Sequence, residues 1–199
     1  TVIRSNWFHD TIARGVLVKS EDFLIEGNRI ENVGYCGVLI ASDIYFWEGP
    51  FSHRGTIRGN RISNACMMTD GALWWNGFHA AVSIWTAGEG HRFLQQGQWN
   101  SAMVLESNEV LDSCAAAFFV ANTSNVLIKG NRMARSFARP FHERADAELR
   151  ENAFVIDLVA CQEVTVKGNR VEGMAGNGKG VLGIKSTAGF AADVAAEKR

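Results

Sequence analysis

Carboxylates set among tryptophans are the residues of this sequence whose types and spacing could do chemistry. Asp43 and Glu48 lie in SDIYFWEGP with Trp47 between them, Asp70 precedes Trp74 and Trp75, and Asp157 interrupts the apolar stretch FVIDLV. Two carboxyl groups can divide the work of glycoside hydrolysis. One protonates the departing oxygen while the other activates water or attacks carbon, at separations of roughly 6.5–9.5 Å or 5–5.5 Å respectively. Flat indole faces suit the apolar C–H face of a sugar ring and leave its hydroxyls at a polar rim. A structural reading stands beside each residue: a loop Asp often caps a turn, Glu48 can pair with Arg54, and a Trp can pin a long loop onto a core.

A repeated phrase supplies the scaffold for these groups. It reads apolar, any residue, apolar, charge, small residue, Asn, and its six copies end at Asn6, Asn28, Asn60, Asn108, Asn131 and Asn169. Ile3, Ile25, Ile57, Leu105, Ile128 and Val166 sit three residues before each Asn, and Phe8, Ile30, Ile62, Val110, Met133 and Val171 two after. Alternation of this kind is a strand with one buried face. The small residue and the Asn together read as a tight corner, since Gly and Asn both tolerate a left-handed backbone. Recurrence at a minimum of 22 to 23 residues is the mark of a solenoid. Stacked Asn side chains can bond along the column, as in cross-β ladders. The charges two residues before each Asn form an exposed ion-pair column of little energetic weight.

A third strand follows in each repeat, at 15–20, 37–42, 80–85, 116–121, 154–159 and 180–185. Three short strands per turn with an Asn corner predict an all-β fold, a right-handed parallel β-helix; an antiparallel sandwich would need no corner residue repeated in one register. Every insertion flanks the third strand. Ile40 to Asn60 spans 20 residues where Val18 to Asn28 spans 10, and Ile84 to Asn108 spans 24. Long loops on a rigid scaffold usually carry function, so they are expected to wall a groove on the outer face of this sheet. Asp157 aligns there with Leu17, Leu39, Ser83 and Phe119. Of six Trp, four (Trp47, Trp74, Trp75, Trp99) lie in the insertions and Trp85 ends a groove strand facing out. Asp43 is expected to pair with Asp70 or Asp157 in catalysis.

Composition narrows the classes. A net charge of −1 gives no support for binding a polyanion, so no nucleic-acid partner is expected. No apolar run reaches about 18 residues, so no transmembrane helix is expected. No HExxH, CxxC or EF-hand spacing occurs, so neither a metal nor another cofactor is implied. The four Cys leave stacked thiols and a disulfide both open. Residues 1–187 read as the β-helix domain, part of a longer chain, and the Ala-rich 188–199 as a tail that could form a helical cap.

The stretch IARGVLVKSEDFLIEGNRIENVGYCGVLIASDIYFWEGP, continuing to GTIRGNRI, resembles the core of glycoside hydrolase family 110, within the pectin-lyase-like β-helices. That resemblance implies an inverting hydrolase that removes α-1,3-linked galactose. Ala13, Arg14, Asp43, Trp47 and Glu48 match the family pattern in order, which implies substrate contacts for Arg14, Trp47 and Glu48. With Trp74, Trp75 and Trp85 these make the expected binding set. A glycan substrate suggests a secreted or periplasmic protein. A polysaccharide lyase using Lys19 as base, and a non-catalytic glycan-binding β-helix, are the alternatives.

Overall fold

The computed structural model describes residues 1–44, 46–68, 80–88, 94, 96–139 and 153–197. Its strands fall into three columns. The first comprises β1 (Val2–Arg4), β4 (Phe23–Glu26), β7 (His53–Arg58), β10 (Asn100–Glu106), β13 (Thr123–Lys129), the first half of β16 (Gln162–Met174) and that of β18 (Ala188–Glu197). The second holds β2 (Trp7–Thr11), β5 (Arg29–Val33), β8 (Arg61–Ser63), β11 (Glu109–Leu111), β14 (Arg132–Ser136) and the second halves of β16 and β18. The third is β3 (Val16–Val18), β6 (Val38–Asp43), β9 (Ala80–Ala87), β12 (Ala116–Ala121), β15 (Phe154–Val159) and β17 (Gly180–Lys185). Strands within a column pair in parallel with the coil before and after, so the fold is a right-handed parallel β-helix.

Register follows from the apolar periodicity. Ile25, Ile57, Leu105, Ile128 and Val166 stand in one inward stack, and Ile30, Ile62, Val110, Met133 and Val171 in another. All are buried, and each such side chain contributes about 1.5–3 kcal/mol by leaving water.

The Asn column forms as a continuous ladder. The side-chain amide of each Asn donates to Oδ1 of the next, at 3.1 Å from Asn6 to Asn28, 2.9 Å from Asn28 to Asn60 and 3.0 Å from Asn108 to Asn131. The same Oδ1 atoms accept the backbone N–H of the preceding coil's Asn. The left-handed residue is the small one before each Asn, with φ 55° at Ser5 and 60° at Gly27, Gly59, Gly130 and Gly168. The corner therefore divides the labour expected of the pair: the small residue turns the chain, and the Asn is released to hold its neighbours. Outside it, Glu26 bridges Arg4 and Arg58, and Glu106 bonds Lys129.

Two further corners share the left-handed geometry. Asp10, Asn32, Asn64, Asp112, Arg135 and Gly173 form one column, and Asp22, Arg54, Ala102, Asn125, Glu163 and Gly189 the other, all with φ between 49° and 80°. The Ala-rich tail is strand, not helix. β18 lies on β16 with Phe190 over Val164, Ala192 over Val166 and Ala196 over Val171. The edge of β16 offers a ready ladder, and small residues at period two fit it. Val194 stands where the Asn would be, and the register shifts by one because this coil lacks the extra corner residue.

Candidate functional site

β6 runs on past its sheet into a small hairpin. Asp43 N–H donates to Glu48 O at 3.1 Å and Glu48 N–H returns to Asp43 O at 2.9 Å, so the two acids stand opposite each other in an antiparallel bridge. Asp43 Oδ1 accepts the Phe46 N–H at 3.1 Å, the short-range bond for which Asp favours turns. Trp47 (φ 57°) and Gly49 (φ 74°) are both left-handed. At Gly49 a Cβ would lie 2.6 Å from the Lys19 Cβ, so glycine is what lets the Lys19 stem cross the hairpin base. Lys19 Nζ then pairs with Glu48, and Ser42 Oγ donates to Pro50 O. Trp47 is 91 % exposed, and Phe46 and Ile44 beside it are open as well. A large apolar side chain held in the left-handed region and almost wholly in water gains nothing for the fold, because it buries no surface.

The structure thus brings together Asp43, Trp47 and Glu48, with Lys19 as the partner of Glu48. Arg54, the partner expected for Glu48, instead bonds Asp22 at 2.7 and 2.9 Å and Glu21 at 2.6 Å. Arg14 is not at this end of the sheet. Its neighbours are Tyr35 and Cys36, where the groove strands begin, and seven residues of extended chain put it roughly 20 Å from Asp43.

Asp157 occupies the row read from the sequence: Leu17, Leu39, Ser83, Phe119, Asp157 in successive register. That register separates it from Asp43. The two lie three strands apart, about 14 Å, and four residues apart along the strand, about 13 Å, giving roughly 19 Å between them. Such a gap is beyond any two-carboxylate mechanism for a glycosidic bond, so the pairing of Asp43 with Asp157 does not form. Asp70, Trp74 and Trp75 lie outside the described residues.

The outer face of the third sheet also differs from the open groove expected. Leu39, Ser83, Phe119 and Asp157 are buried, and Trp85, expected to face out for stacking, is 4 % exposed. Leu17 at the end of the row is open. Exposed chemistry sits on the rim where these strands end.

The thiols are structural neighbours. Backbone bonds from Cys66 to Tyr35 and from Cys114 to Ala65 align Cys36, Cys66 and Cys114 on three coils. All four Cys are buried thiols outside any disulfide. Burial pushes the Cys36 thiol up to about 11 and Cys161 to about 12, and holds Cys66 well above the ordinary range. Among the described residues, no group of three or more His, Cys, Asp or Glu is arranged to hold a metal ion, and no helix is long and apolar enough to cross a membrane.

Residues 1–191 match a family model described as a right handed beta helix region. No curated protein matches the chain.

Proposed function

We propose that this chain, which belongs to the right-handed β-helix family, is a carbohydrate-active protein that takes a terminal, α-galactose-like sugar at the Asp43–Glu48 hairpin. The fold hosts many activities, so the reading rests on the site. One observation carries it: the hairpin sets two carboxylates opposite each other and presents Trp47 at 91 % exposure next to them. An indole face free on this scale suits the C–H face of a pyranose. Residues exchanging both backbone bonds have Cα atoms about 5.5 Å apart and side chains on one side of the hairpin. Their carboxyl groups are then within reach of the separations used in glycoside hydrolysis.

In this reaction Asp43 gives its proton to the glycosidic oxygen as the bond to the anomeric carbon breaks. Glu48 takes a proton from the water whose oxygen bonds that carbon. Glu48, already paired with Lys19, suits the base role. The same pairing commits Lys19 and counts against a lyase that would use it as base. A non-catalytic sugar-binding rim is the second reading, favoured by the bond from Phe46 N–H to Asp43 Oδ1, which gives Asp43 a turn-capping duty of its own.

Release of sugar from aryl α-galactosides and a small glycan panel, measured beside unsaturated-product absorbance, tests these readings. Asp43→Asn keeps the acceptor for Phe46 and removes the proton, so turnover is expected to fall at least about 10²-fold. Near-normal hydrolysis by Asp43→Asn overturns the catalytic assignment. Binding without release of any product selects the second reading.

A further inference from the structure

We propose that Trp99 forms a second aromatic subsite on the same rim, so that the sugar at the hairpin is the end of an oligosaccharide laid across the coils. This rests on the hairpin being a sugar site and specifies what that site binds.

The argument begins with how Trp99 is held. β6, β9, β12 and β15 are parallel neighbours and end on one rim. The chain before β10 is fastened along that rim. Leu94 N–H donates to Thr86 O at 3.1 Å, and Asn122 Nδ2 donates to Gln96 O and Gly97 O, both at 3.3 Å. Gln98 Nε2 reaches Ala160 O at 3.4 Å, and Trp99 N–H donates to Asn122 O at 2.8 Å. These bonds tie the segment to the ends of β9, β12 and β15.

The indole itself is fixed as well. Its Nε1 donates to Gln96 O at 3.3 Å, and its ring packs on Phe51 with centroids 5.2 Å apart. Gly97 has φ 82°, and a Cβ there would lie 2.8 Å from Trp99 Nε1, so glycine is what admits the ring. Yet Trp99 remains 40 % exposed. An aromatic face immobilised by its backbone, its N–H and one ring neighbour, but left open, loses little entropy when a ligand stacks on it.

Position then identifies the ligand. Phe51 is one residue beyond Pro50, so the Trp99 ring abuts the base of the hairpin that carries Trp47. Phe51 lies four residues after Trp47, a reach of up to about 13 Å if the chain is extended. A short chain of pyranose rings can reach from one indole to the other over that length. The Lys19–Glu48 pair leaves the adjoining rim without a net charge from those two groups, which fits a neutral glycan better than a uronate.

Titration calorimetry with galactose and with α-1,3-linked galactose oligosaccharides of two, three and four units tests this, in the Asp43→Asn background so that the chains are not cleaved during the titration. Affinity is expected to rise at least about tenfold from galactose to the four-unit chain. Trp99→Ala is expected to shrink that ratio at least about fivefold, and Trp99→Phe, which keeps a ring, to retain most of it. Equal affinity for every length, or an unchanged ratio in Trp99→Ala, overturns the second subsite while leaving the hairpin reading intact. Absence of binding to every sugar in the series overturns the hairpin reading and this inference together.

Discussion

The Asn corner and the hairpin rim are two ends of the same coils, built on opposite rules. At the corner each side chain satisfies the coil beside it. Asn60 accepts from the backbone and side chain of Asn28 and donates to Ile25 O and Asn108 Oδ1. The Asn60 amide is used up within the stack, and insertion of a residue would break the ladder on both sides. At the rim, Asp43, Glu48 and Phe46 exchange hydrogen bonds within a single hairpin, with Lys19 and Ala87 among its ties to the coils beside it, so its tip can vary with little disturbance of the stack. The difference teaches where a solenoid can carry chemistry: at the turn whose hydrogen bonds close locally.

Substitution at the corner should have the largest effect on folding. Asn60→Ala removes the acceptor of the Asn28 N–H and Nδ2 and the donor to Ile25 O, Arg58 O and Asn108 Oδ1. Asn28 Nδ2 keeps Ile3 O, and Asn108 Oδ1 keeps the backbone N–H of residue 60. At about 1–3 kcal/mol for each buried group left unmade, partly relieved by relaxation, the expected loss is about 4 kcal/mol. Urea denaturation measures it, with Asp43→Asn as the rim counterpart expected to change stability by less than about 0.5 kcal/mol. Equal losses at both positions would erase the contrast.

The buried thiol column sharpens the comparison through pH. Desolvation favours the neutral thiol in the fold, with Cys36 raised from 9.0 to about 11. For an acid whose folded value is raised, the stabilisation is complete below the unfolded value and disappears as pH climbs towards the folded one. The melting temperature should therefore hold up to about pH 9 and fall between about pH 9 and 11, with Cys36 alone accounting for about 2–3 kcal/mol. Cys36→Ala should flatten that alkaline slope. A slope unchanged by this variant would show that the alkaline loss comes from groups other than Cys36.

Gly49→Ala should cost much less stability than Asn60→Ala and give a selective change at the rim. The left-handed backbone costs about 1 kcal/mol with a Cβ present, and the new methyl pushes on Lys19 at 2.6 Å. Displacing Lys19 from Glu48 is expected to lower turnover or sugar affinity about tenfold, while urea denaturation shows a loss of only about 1 kcal/mol. If stability suffers more than sugar affinity, the hairpin is a brace for the coil and not a site.

Much of the regular part was legible because its physics is periodic. A buried face repeats every second residue and a coil every turn, so Ala116–Ala121, Phe154–Val159 and Gly180–Lys185 could be read as strands to the residue. The row from Leu17 to Asp157 was legible too, and that row already implied that Asp43, four residues beyond Leu39, stands far from Asp157. The second corner carried a signal that the Asn motif overshadowed: Asp10, Asn32, Asn64 and Asp112 each follow a ladder Asn by four residues. The third corner carried a broken one: Asp22, Asn125 and Gly189 are turn residues, but Arg54, Ala102 and Glu163 between them are not and adopt φ 55° because the coils on either side impose it.

The sequence by itself determined the strands of the repeating coils, their register and the Asn ladder, because each depends on a pattern that those coils repeat. The Ala-rich tail, which lacks the pattern, became strand only by pairing with β16. Only the tertiary structure decided that the outer row is buried and that Glu48 takes Lys19 and not Arg54. Those outcomes depend on the path of insertions that occur once. A segment without a period has no neighbour of its own kind to report where its side chains go.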